Sequence, residues 1–170
     1  MGVKLAAASG GSIELVPTNT ASNFTVTVPA STGTMLTTST AGSVLQVVQT
    51  ASTVEVSTTS TATVITASIT PSSASNKIMT LFTGEVTNTA SSNSYGYLSL
   101  ARSGSSLGGL KSVGMQVAAY LTVGTAGNFL DSPATTSSIT YTLTIGKGSG
   151  GTVSASCSVG ATIILMEIAA

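Results

Sequence analysis

The sequence predicts an all-β protein, an N-terminal extended arm followed by a jelly-roll-like antiparallel β-sandwich. Three observations predict it. Thr, Val, Ile and Ser dominate, and good helix formers recur at helical spacing nowhere for three turns; β-branched side chains favour the pleated strand. Period-two alternation recurs: Phe24, Val26 and Val28 share one face against Thr25 and Thr27, and Ile139, Tyr141, Leu143 and Ile145 alternate with Thr140, Thr142 and Thr144. That is the pattern of a half-buried strand. Between such runs lie the polar clusters PSSASN, TNTASSNS, RSGSSLGG and GKGSGG, which read as turns.

Residues 1–41 form the first expected unit. Gly10-Gly11 leads into IELV, then a polar break PTNTASN, then FTVTV, PASTGT and a short MLTT. Strands this short need neighbours to be stable. Two readings of the segment stand: an arm completed by other chains, or edge strands added to the main domain. Residues 42–170 form the second unit, with strands expected at 44–48, 54–57, 63–69, 77–84, 95–100, 116–123, 139–145, 153–157 and 162–168. Eight or nine strands with polar turns suit a two-sheet sandwich of the jelly-roll kind. The last of them, TIILMEI, is apolar on both faces, as a central strand covered on both sides would be. One of those faces is available to a subunit interface.

Charge is scarce. Only 6% of the 170 residues are charged, five basic against five acidic, where an ordinary domain carries about 25%. Mean hydropathy is +0.48. A free monomer with so few charges has weak colloidal protection, so the composition points to a chain working inside a larger assembly, as a homotrimer. Lys4, Lys77, Arg102, Lys111 and Lys147 are isolated and make no basic patch, which argues against nucleic acid. Membrane insertion is excluded on length: residues 161–170, ATIILMEIAA, are half of what a spanning helix needs, and Glu167 interrupts them. The opening MGVKLAAASGG is too short for a secretory core, and Ala6 breaks the myristoylation pattern.

At this point a family likeness is on the page. GGSIELVPTNTASNFTVTVPASTGTMLTT, SVLQVV, SITPSSASNKI, FLDSPATTSSITYTL and the terminal LMEIAA together resemble structural proteins of tailed phages, especially marine and freshwater ones. The likeness runs from about Gly10 to Ala170. It implies a virion protein, made in the bacterial cytoplasm and placed on the outer surface of the particle. Family members include tail-fibre pieces and capsid decoration proteins. The absence of a coiled-coil or β-helical shaft here favours a capsid decoration (cement) protein that binds the major capsid protein. The alternative is a receptor-binding fibre tip that recognises a host surface glycan, and aromatic residues at only 4% tilt against it.

Residues that carry chemistry are poorly supplied, and no enzyme, metal or cofactor is expected. There is no His, hence neither the usual general base nor the commonest zinc ligand. No serine stands in the strand-to-helix setting of a nucleophile elbow. Glu14, Glu55, Glu85, Asp131 and Glu167 are far apart in sequence and read as solvated or salt-bridged charges. The run 146–151, GKGSGG, lacks the following helix of a phosphate loop and reads as a flexible hairpin tip. Asp131-Ser132-Pro133 reads as a turn with the Asp capping nearby amides. Asn23-Phe24-Thr25 matches a glycosylation acceptor that a bacterially made protein would not use. Cys157, the sole cysteine, sits in VSASCSV and reads as a buried inert thiol. Glu167, in an apolar strand, is expected to face solvent or to meet a cation, with Arg102 the one arginine available.

Overall fold

A computed structural model of the chain describes residues 3–6, 9–15, 41–88, 94–115, 121–149, 153–155 and 160–170. The chain divides into two compact units, Met1–Met35 and Leu36–Ala170. In the first, β1 (Val3–Ala6) and β2 (Ser12–Leu15) pair antiparallel, with Lys4 directly across from Glu14. The strand expected at IELV is therefore β2. FTVTV, MLTT and the Asn23 acceptor pattern lie outside the described residues.

The second unit is a two-sheet antiparallel sandwich, as the alternation predicts. Its strands are β3 (Val44–Ser52), β4 (Val56–Thr58), β5 (Thr61–Ile69), β6 (Lys77–Asn88), β7 (Ser94–Arg102) and β8 (Ser105–Met115). They continue with β9 (Leu121–Asp131), β10 (Ile139–Ser149), β11 (Val153–Ala155) and β12 (Ala161–Ile168). One sheet runs β5-β10-β7-β8; the other has its four long strands in the order β3-β12-β6-β9. Short β11 and β4 extend this second sheet beside the far end of β6, where Val153 pairs with Asn88.

Each sheet turns one alternate set of residues inward. Ile65, Ala67 and Ile69 of β5, Leu98 and Leu100 of β7, and Ile139, Tyr141, Leu143 and Ile145 of β10 meet Ile78, Phe82 and Val86 of β6 and Ile163 and Leu165 of β12. The alternation read at 139–145 thus lines the core. Burying each such side chain contributes about 1.5–3 kcal/mol. One core position breaks the rule. Thr80 is wholly buried between the backbone partners Leu165 and Phe129, and its hydroxyl has no hydrogen-bond partner among the described residues. An unpaired buried hydroxyl costs about 1–3 kcal/mol, and an isosteric methyl removes that cost. Thr80→Val is therefore expected to raise the unfolding free energy by about 1 kcal/mol, read as a higher urea midpoint at unchanged slope. A lower midpoint would show that the hydroxyl is satisfied.

Two turn assignments need correction. RSGSSLGG is not a loop: Ser103 and Gly104 alone make the turn, both with positive φ (46° and 85°), and β8 starts at Ser105 opposite Arg102. Positive φ at both central residues is what a two-residue hairpin demands. GKGSGG is not a flexible tip over its first four residues, because β10 continues to Ser149. The strand expected at 116–123 is β9, which begins at Leu121 and runs on through GTAGNF to Asp131; residues 116–120 lie outside the described set. So does Cys157, beyond β11.

Candidate functional site

The sandwich presents two broad outer faces, and they differ in chemistry. On the β5-β10-β7-β8 sheet the outward residues are mostly hydroxyl-bearing. Thr66 lies across from Thr142 and Thr63 across from Thr144, which neighbours Ser99; Ser68 Oγ and Thr140 Oγ1 hydrogen-bond at 2.8 Å. This face is satisfied in water.

The other face is not. Outward side chains of β12 are Thr162, Ile164, Met166 and Ile168, all half-buried. The register aligns them in rows across all four long strands. One row reads Val47, Met166, Met79, Leu130; the next reads Gln49, Ile164, Leu81, Asn128; the third reads Ala51, Thr162, Thr83, Ala126. Val47 is 58% exposed and Leu130 47%. The three rows contain no charged residue. Strand spacing of ~4.8 Å and ~6.8 Å between rows give the three rows a footprint of about 400 Å², eight of the twelve positions apolar, within the range of about 300–600 Å² of the largest, often functional, patch on a monomer. A shallow depression of about 370 Å³ between Leu81, Thr83, Ala126, Asn128, Thr162 and Ile164 occupies its centre. The double-sided apolarity of TIILMEI was legible in the sequence; its lateral extension through Val47, Met79 and Leu130 depends on which strands pair.

The charged residues are dispersed; Asp131 is salt-bridged, as one of its two readings had it, but not in the turn role, and Glu167 is placed otherwise than the sequence predicts. Asp131 does not cap a turn. It is buried at the end of β9, where both carboxylate oxygens accept from Arg102 Nη1 at 2.8 Å and Oδ2 accepts from the Tyr141 hydroxyl at 2.7 Å. Burial, reinforced by that bond to Asp131, pushes the Tyr141 phenol far above its ordinary range. Arg102 is thereby committed to Asp131.

Glu167 accordingly meets no solvent and, among the described residues, no cation. It is 1% exposed, with Oε1 accepting from Ser72 N (2.7 Å), Ser72 Oγ (2.8 Å) and Asn76 Nδ2 (2.6 Å) and Oε2 from Gln46 Nε2 (2.6 Å). Burial alone would raise its pKa. The hydrogen bonds from Asn76, Gln46 and Ser72 outweigh that and hold it at about 2, so the carboxylate is ionised. PSSASN is a turn as expected, and its function in the fold is to clamp this buried anion.

Gly146 serves packing. A Cβ there would collide with the ring of Tyr97, its cross-strand neighbour, so the glycine is dictated by an aromatic lid rather than by an anion. Among the described residues no group of three or more His, Cys, Asp or Glu side chains comes together, and no helix is long and apolar enough to cross a membrane. No protein-family model matches the sequence, and no curated protein is similar to it.

Proposed function

We propose that this chain is a phage virion structural protein, without enzymatic activity, that cements the capsid as a homotrimer. The observation that carries the reading is the uncharged apolar patch across β3-β12-β6-β9, on a chain too poor in charge to be well protected as a monomer. In a threefold ring that face packs against another surface of the next copy and is buried. Strand order supports a jelly roll as the architecture. Numbered in chain order, the eight long strands lie 1-8-3-6 in one sheet and 2-7-4-5 in the other, an order consistent with a double Greek key, which is used by viral capsid proteins and by lectins alike. The likeness of residues 10–170 to tailed-phage proteins points the same way. The partner beyond the trimer is the major capsid protein, and the role is mechanical: contacts repeated over the shell hold neighbouring capsomers together.

Particles lacking the protein are expected to assemble, to adsorb normally, and to release DNA at a lower temperature than complete particles. A protein that binds only the intact shell shifts the intact–ruptured equilibrium by its summed binding free energy. Normal heat resistance with lost adsorption would replace this reading with a glycan-recognising fibre tip.

A further inference from the structure

A cavity of about 690 Å³ lies at the end of the sandwich where β3 begins and β12 finishes. That volume lies within the usual range for small-ligand sites. Glu167, Asn76 and Ala169 make its buried floor, and Gln46, Ser73 and Ser75 stand nearer the rim.

Hydrogen-bond accounting fixes what such a cavity can hold. Both protons of Asn76 Nδ2 are spent, on Glu167 Oε1 and on Ser72 Oγ (3.2 Å). Both protons of Gln46 Nε2 are spent too, on Glu167 Oε2 and on the Thr70 carbonyl (2.7 Å). The Ser72 hydroxyl and amide are given to Glu167 as well. Every one of these donors is uncharged, so the site keeps a full negative charge, and no cation pairs with Glu167 among the described residues. What remains unspent is acceptor capacity: Gln46 Oε1, the second lone pair of Glu167 Oε2, and the oxygens of the Ser73–Ser75 hydroxyl pair (2.9 Å). A neutral polyol can donate to these acceptors, but it brings acceptors of its own, and apart from the one proton left over in the Ser73–Ser75 pair the side-chain donors here are used up. A hard metal ion seeks several oxygen ligands, commonly more than one of them anionic, and the one side-chain carboxylate of this cavity is already gripped by four donors. An ammonium, with three donors and no acceptor, is the complement.

We propose that this cavity is a binding site for a primary ammonium group, seated against Glu167 and Gln46 Oε1. A lysine side chain of a partner protein and a free polyamine share that group. The test is an NMR titration of the full-length chain at fixed ionic strength with n-butylammonium, spermidine, n-butanol and calcium chloride. The side-chain amides of Asn76 and Gln46 are the reporters, and Asn128, on the outer apolar face, is the control. Saturation by n-butylammonium at about millimolar concentration, with Asn128 unmoved, is the expected result. Spermidine binding more tightly than its extra charges account for assigns the site to a free polyamine; equal binding per ammonium assigns it to a lysine tip. Glu167→Gln should weaken n-butylammonium by at least about tenfold. If that variant does not fold, the contrast with n-butanol in the native protein decides. Linear, unsaturable shifts, equal binding of n-butanol, or saturation by calcium alone would overturn the proposal.

Discussion

Ile164→Glu is expected to convert the proposed trimer to monomer in sedimentation experiments at micromolar concentration. Ile164 sits at the middle of the apolar patch, between Gln49 and Leu81. A carboxylate buried there without a partner costs several kcal/mol per copy, and each 1.4 kcal/mol is a tenfold change in an equilibrium constant. The association constant should therefore fall by more than about a thousandfold. Because the side chain points away from the core, the variant should keep the urea midpoint of the isolated sandwich. Thr142→Glu, on the hydroxyl-lined face, is the matched control and should leave the trimer intact. A native chain that is monomeric at that concentration, or a trimer broken by Thr142→Glu and not by Ile164→Glu, would refute the assignment of the face.

Removing the Glu167 carboxylate should be the most damaging single change to the sandwich itself. Glu167→Ala leaves Ser72 N, Asn76 Nδ2 and Gln46 Nε2 without their acceptor at once, and a loss of about 3 kcal/mol is expected. The same clamp has a pH signature. The folded pKa, about 2, lies below the ordinary value of 4.5, so the clamp contributes fully above the ordinary value and is lost as pH falls through the folded one. Unfolding free energy should decline steeply between pH 4.5 and 2 in the native protein and more gently in Glu167→Gln. Equal slopes in the two proteins would show that the carboxylate is not the group responsible.

Strands rich in β-branched residues were legible because their alternation is written locally. Residues 139–145 say by themselves which side chains face inward, whereas at 63–69 the register slips and the adjacent Val64 and Ile65 are both buried. β8 and the second half of β9 were illegible for the opposite reason: Ser105–Gly109 and Gly124–Asn128 have turn composition, and only pairing with β7 and β6 makes them strands. The two buried carboxylates show a further limit. Asp131 meets Arg102 because β9 ends beside Ile78 while β7 ends beside Tyr141. Glu167 meets Ser72 and Asn76 from more than ninety residues away. A sequence states that such a charge must be satisfied; the register chooses what satisfies it.

Gly42 donates to the Ala169 carbonyl at 2.8 Å, and Ala169 donates to the Ser43 carbonyl at 2.9 Å. The point where the chain enters the sandwich and the point where it leaves therefore lie side by side at one end of the antiparallel β3–β12 ladder. Tension drawn between those two points would part the ladder one rung at a time, like a zip, instead of loading all its rungs together. The backbone path from Gly42 to Ala169 is therefore the weak direction of this sandwich, and under the proposed capsid role a load would be better fastened across its broad faces.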